Sequence, residues 1–474
     1  MNPAYRILGA AGYVLALLAA GILLPEHRGA VAFFAVAPLA VLLGPQLLRR
    51  TLARRSQTVV AKRTFPPHTP EQIKATIRDL NLEPSPDVTM TVDYLIHQAA
   101  QMLSSDIHLV PYRDFTAVRF RVDGILADVA ELGPRLKQPV INRLKVLSQA
   151  VTYVHDKPQD GRFGLEVGGA PLDVRIAFMP TLHGERIVMR LLGRTEVDLG
   201  LSSLGFSDAQ YASFSSLICR PQGMIILTGP AGSGKTTTIY CALRTILETN
   251  RKSSSIYTLE DPIEFDLLNI NQTQIAEGQG FTFASGLRTM LRQDPDVIMV
   301  GEIRDLDTAR IAVQAGMTGH LIITTVHAKR AAGAFMRLIE MGVDRHSVVS
   351  AVTAVLAQRL VRILCPRCRR PQPATPGQEA RLSQRLDGSF FGPVGCPECA
   401  MKGYVGRRAV FEIMEVDEEI RRLTVDKASP EALHRAAMAQ GMTTIVESGL
   451  ELARRGETSL DEVIRNLPPQ EELR

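Results

Sequence analysis

Leu227-Thr-Gly-Pro-Ala-Gly-Ser-Gly-Lys-Thr-Thr237 decides how this chain is read. Gly229 to Thr236 fit G-x-x-x-x-G-K-[ST], the loop that wraps a nucleotide phosphate. The apolar run 224–227 reads as a buried strand and residues 237–249 as a helix, the setting this motif needs. Gly229, Gly232 and Gly234 let the backbone turn tightly and aim N–H groups at phosphate oxygens, and the helix adds its positive end. Pro230, Ala231, Ser233 and Thr237 complete the loop. Lys235 is placed to reach the β- and γ-phosphates, and Thr236 to hold Mg²⁺.

The chain has 474 residues, too many for one ordinary domain. A net charge of +5, with no arginine-rich face or aromatic-interleaved basic stripe, argues against nucleic acid as partner. Runs 7–24 and 30–48 carry no charge, and each approaches the length that crosses about 30 Å of hydrocarbon. Arg49, Arg50, Arg54, Arg55, Lys62 and Arg63 follow them, which places that side in the cytoplasm. Residues 1–50 are therefore expected to form a transmembrane hairpin. Pro38 and Pro45 allow the second run to kink, or to dip in without spanning. A secretory signal is the competing reading, but it would export a nucleotide-binding domain.

Residues 51–88 read as a basic, proline-rich linker with a short helix near 71–80. An α+β domain is expected over 89–195, where Val118, Phe120 and Val122 alternate with Arg119 and Arg121. Residues 203–474 carry the phosphate loop. Strand-like runs at 256–259, 297–300 and 321–325, separated by helical stretches, predict a parallel sheet with ligand at the carboxyl ends of its strands. A cysteine-bearing part spans 361–409, and 410–474 is helix-rich.

The run 297–300 ends in Gly301-Glu302, expected to lie beside the phosphate-loop strand with Glu302 near Mg²⁺. A second acidic strand ends at Glu260-Asp261. Glu260 is placed to polarise the attacking water or to join the Mg²⁺ shell through water, whereas Asp261 also suits a turn cap. His320 and His327 bracket the run 321–325. His327, at the carboxyl end, suits a γ-phosphate sensor, and His320 a structural or interface role. Arg162 and Arg175 read by themselves as surface arginines. Cys365-Pro-Arg-Cys368 and Cys396-Pro-Glu-Cys399 are two C-x₂-C knuckles suited to structural Zn²⁺, with disulfides as the alternative. Cys219 and Cys241 read as buried apolar residues.

These blocks resemble the secretion ATPase superfamily of type II secretion and type IV pilus assembly. The similar stretches include Ser105-Asp-Ile-His108, Gln159-Asp-Gly-Arg162, Gly184-Glu-Arg186, Glu260-Asp-Pro-Ile-Glu264, Thr318-Gly-His320 and Ala357-Gln-Arg-Leu-Val-Arg362. The resemblance implies an α/β, RecA-like P-loop ATPase domain preceded by a PAS-like N-domain. It further implies a homo-hexamer that hydrolyses ATP with Mg²⁺ and pushes on an inner-membrane platform protein. Glu302, Glu260 and His327 would then be catalytic, and Arg162 and Arg175 would stabilise phosphate charge. The tetracysteine part resembles the assembly and export members rather than the retraction ones. Ala328-Lys329 departs from the Thr-Asn that usually follows the second histidine, which puts that turn's contacts in question. The usual soluble docking domain seen in relatives is not recognised, so the hairpin is expected to anchor the motor at the inner membrane with its ATPase domains cytoplasmic. Two rivals stay open: a membrane-anchored nucleotide-dependent scaffold with little turnover, and a DNA-transfer ring ATPase.

Overall fold

The computed structural model describes residues 65–193, 200–249 and 254–467. The expected hairpin and its basic flank lie outside them. Among the described residues no helix is long and apolar enough to cross a membrane. The chain divides into two compact units, one of residues 65–193 without 121–126, the other of residues 200–467 with 121–126.

The first unit opens with α1 (Pro70–Leu82) and α2 (Val88–Gln101). Thr69 and Gln72 form a capping box at α1, Pro70 sits at its first turn, and Ile73, Ile77 and Leu80 bury one face at i, i+4, i+7 spacing. Much of the stretch read as a linker is thus a packed element. Strands β1 (Ser104–Pro111), β2 (Thr116–Val122) and β3 (Ile125–Leu132), helix α3 (Pro134–Leu147), and strands β4 (Gln159–Val167), β5 (Ala170–Thr181) and β6 (Gly184–Gly193) follow. They form one sheet in the order β3-β2-β1-β6-β5-β4. Val118, Phe120 and Val122 are buried, as their alternation requires. Under the sheet, Lys145 and Glu185 form a buried ion pair at 2.7 Å, with His155 on the second carboxylate oxygen at 2.7 Å.

In the second unit, helix α4 (Asp208–Ile218) precedes β7 (Gly223–Thr228), and α5 (Lys235–Thr249) follows the phosphate loop. Then come β8 (Ile256–Glu260), β9 (Asn271–Gln274), α6 (Phe283–Met290), β10 (Val297–Val300), α7 (Leu306–Met317), β11 (Leu321–Thr325), α8 (Ala331–Glu340), α9 (Arg345–Ala351) and β12 (Val352–Leu364). The cysteine part holds the short pair β13 (Arg370–Pro371) and β14 (Phe391–Gly392), with α10 (Pro376–Leu382) between them. It returns through β15 (Tyr404–Glu415) to α11 (Glu418–Val425), α12 (Pro430–Ala439), α13 (Ile445–Arg454) and α14 (Leu460–Asn466). The sheet order is β15-β12-β7-β11-β10-β8-β9, parallel throughout except for β15 on β12.

Both faces of this sheet are covered. Met224 and Ile226 of β7 join one apolar cluster with Ile298, Val300 and Ile322, while Ile225 and Leu227 join another with Val297, Met299, Leu321 and Ile323. Double burial explains why these strands read as unbroken apolar runs. The strand order places β7 inside the sheet, with the carboxyl ends of β7, β8, β10 and β11 on one edge, the usual ligand side of an open α/β sheet.

Candidate functional site

The phosphate loop is built by close approach. Gly229 has φ 150°, and a Cβ there would lie 2.4 Å from the Gln358 carbonyl oxygen. Gly234 has φ 87°, and a Cβ would meet Gln358 Nε2 at 2.9 Å. Only glycine fits both places. Gln358 supports the loop from below: its Nε2 donates to Ser233 O at 2.9 Å, and its Oε1 accepts from Thr238 Oγ1 at 3.0 Å. Lys235 Nζ donates to the carbonyls of Gly229 and Pro230, each at 2.9 Å. Burial, and next the Arg359 guanidinium, lower the Lys235 pKa, and Glu302 opposes them. Half-buried Lys235 at the end of this tightly turned loop forms a cradle suited to a polyanion, with buried Arg359 behind it. The Thr236 hydroxyl and the Glu302 carboxylate supply the hard oxygen donors that Mg²⁺ prefers.

Glu302 follows β10, but β10 does not pair with β7 as expected. β11 lies between them, and β8 with Glu260 flanks β10 on the other side. The sequence showed that these strands exist but not how they are ordered. The inserted strand brings His327 to Glu302: Nε2 and Oε2 are 3.6 Å apart. Arg304 donates to the other Glu302 oxygen and stands 3.9 Å from Asp261. Asp261, read as a possible turn cap, thus faces a guanidinium.

Glu260 is 2% exposed, and its oxygens accept from Tyr240 Oη, Thr258 Oγ1 (2.6 Å) and Gln272 Nε2 (3.0 Å). Burial, then the bond to Glu260, raise the Tyr240 pKa well above its ordinary value. Glu260 is committed to its protein partners, which leaves Glu302 as the carboxylate with an accessible side. His320 makes main-chain contacts: its Nδ1 lies 3.2 Å from Ala315 O, and its carbonyl accepts from Gly223 N.

The turn at Ala328-Lys329 is held through its main chain. Thr228 Oγ1 donates to Ala328 O (3.0 Å) and accepts from Ala328 N (2.9 Å), and Arg359 Nη2 donates to Lys329 O (2.9 Å). The sequence reading missed Arg359, Gln358 and Arg304. Arg359 and Gln358 lie in the block 357–362, whose strand character was not recognised.

Arg162 and Arg175 lie in the first unit. They are cross-strand partners on β4 and β5, and Arg175 also faces Arg190 on β6. Arg162 pairs with Asp173 at 2.8 Å, both about half exposed.

The four knuckle sulfurs lie within 4.8 Å of one another. Cys365–Cys396 and Cys368–Cys399 are 3.8 Å apart, and Cys396–Cys399 3.7 Å. A tetrahedron of Zn–S bonds of about 2.3 Å has edges of about 3.8 Å, so the set fits zinc. The separations are far beyond a disulfide's roughly 2.05 Å. The N–H groups of Cys396 and Gly403 each donate to the Cys399 sulfur at 3.2 Å, which favours a thiolate there. Cys241 is buried as expected, while Cys219, at the C-cap of α4, is exposed.

The family model described as Type II/IV secretion system protein matches residues 82–465. The chain is 42% identical over 388 residues to the type II secretion system ATPase E of Vibrio cholerae serotype O1, covering 81% of this chain and 76% of that one. It is 40% identical over 388 residues to the type IV pilus assembly ATPase PilB of Myxococcus xanthus, covering 81% and 68%. The ATPase DotB of Yersinia pseudotuberculosis shares the fold, with a TM-score of 0.60 at 21% identity over 79% of this chain and 92% of that one. With its two units, phosphate loop and tetracysteine cluster, this chain belongs to the type II/IV secretion system protein family.

Proposed function

We propose that the chain is a hexameric ATPase that powers assembly of a type IV pilus or a type II secretion pseudopilus at the inner membrane. The carrying observation is the pairing of the Lys235 cradle with Glu302 and His327 on the adjoining strand ends of one sheet. Lys235 and the loop N–H groups bind the triphosphate. Thr236 and Glu302 would hold Mg²⁺, which supplies charge neutralisation when bound. Glu302 orients the attacking water, held in turn by Arg304 and His327. Glu260 supports this from β8 through its hydrogen-bond network. Arg162 and Arg175, on a PAS-like N-domain over 89–195, stabilise phosphate charge in the same or a neighbouring subunit. ATP turnover in the 203–474 domain moves that N-domain against a platform protein in the membrane.

The hairpin 1–50 anchors the motor, with its ATPase domains cytoplasmic. In a strain lacking the gene, the full chain is expected to restore surface fibres or secreted proteins and to fractionate with membranes, and residues 56–474 to fractionate as soluble protein. An unchanged membrane pool without residues 1–55 rejects the anchor, and normal fibres and secretion in the deletion strain reject the function.

Cys365, Cys368, Cys396 and Cys399 hold one structural Zn²⁺. Elemental analysis of the purified chain is expected to give one zinc per polypeptide, falling to near zero in Cys365→Ser/Cys396→Ser. A zinc-free unsubstituted protein overturns the assignment.

A further inference from the structure

The turn 327–331 joins β11 to α8 and carries His327. It is tied down by its main chain at three points. Thr228 grips Ala328 through both its N–H and its carbonyl. Arg359 holds the Lys329 carbonyl at 2.9 Å. Glu412 Oε1 accepts from Ala331 N at 3.1 Å, at the start of a helix whose N-cap, Arg330, makes no side-chain capping bond.

Arg359 is 9% exposed and Glu412 1%, on the neighbouring strands β12 and β15. Burial lowers the Arg359 pKa, and the Glu412 carboxylate opposes the shift. Two charges withdrawn from water this far rarely add stability over apolar side chains, so their geometry calls for another reason. Arg359 Nη1 donates to Gln358 O at 3.0 Å, and Gln358 braces Ser233 and Thr238. Glu412 Oε2 accepts from Ile445 N at 3.3 Å. Arg359 therefore ties the His327 turn toward the phosphate loop, and Glu412 ties its far end to α13.

We infer that Arg359 and Glu412 are positioning residues that lock the turn 327–331 to the phosphate loop and so keep His327 facing Glu302. Both Arg359 Nη atoms are engaged with main-chain carbonyls, so the guanidinium sets geometry rather than gripping a ligand. The inference rests on the ATPase reading above.

The test measures kcat and KM for phosphate release by the full chain. Arg359→Lys keeps the charge but loses the two-pronged donor, and Glu412→Gln keeps one acceptor of two. Each is made alone and with His327→Ala. Each single substitution is expected to lower kcat about tenfold with KM within about twofold, and to lower it no further once His327 is alanine. A merely structural role would multiply the effects. Multiplied effects, or an unchanged kcat in both single variants, overturn the inference. If either variant fails to fold, Thr228→Val removes the third tether and must show the same non-additivity. Turnover by the unsubstituted chain reports separately on the ATPase reading.

Discussion

Lys235→Ala is expected to lower ATP turnover by at least about 10²-fold and to abolish transport in cells, because it removes a preorganised cation from the phosphate cradle. The effect should exceed that of losing an exposed charge. Lys235 already closes the loop through the Gly229 and Pro230 carbonyls, so the ammonium is placed before any ligand arrives. Burial and Arg359 both disfavour its charge, a cost that a triphosphate offsets and water cannot. Alanine therefore removes both the loop's internal tie and its charge. Phosphate release by the full chain and binding of a fluorescent nucleotide should fall together. Turnover within twofold of the unsubstituted chain would sink the motor reading.

The parts of this site that were legible from sequence are those whose chemistry is local. The phosphate loop needs glycines at fixed offsets, so 229–236 announces itself. Runs 256–259, 297–300 and 321–325 are apolar on every residue but a few, because the sheet is covered on both faces. Strand order was not legible, since nothing in residues 297–302 says that β11 will separate β10 from β7. The strand β12 was missed for another reason. Residues 352–364 mix alanine, valine and leucine with Gln358 and Arg359, and periodicity cannot separate a buried strand from a buried helix in such a run. Without β12, Arg359 and Gln358 were legible only as part of the family-like block 357–362, and Glu412 on β15 had no neighbour to act on. The proline-rich stretch before residue 88 misled in the opposite direction. Pro70 begins a helix there, and Pro84 and Pro86 lie between two helices, so the prolines mark packed boundaries as well as tether.

Glu302→Gln is expected to separate binding from chemistry. Turnover should fall roughly 10²–10⁴-fold, the range for loss of a positioned acid–base group, while nucleotide affinity changes little because Lys235 and the loop amides are untouched. Gln keeps the size of the side chain and one acceptor for Arg304, so thermal stability should not move measurably. Glu260→Gln should behave differently. Its carboxylate accepts from Tyr240, Thr258 and Gln272 in a site closed to water, and an amide nitrogen there meets donors on either oxygen position. At least one buried donor loses its acceptor, a cost of about 1–3 kcal/mol that should appear as a lowered Tm. The two acidic strand ends are thus distinguishable by pairing phosphate release with thermal unfolding on the same preparations. If Glu302→Gln instead lowers Tm while sparing turnover, and Glu260→Gln does the reverse, the carboxylate roles are exchanged, and water activation belongs to β8 rather than β10.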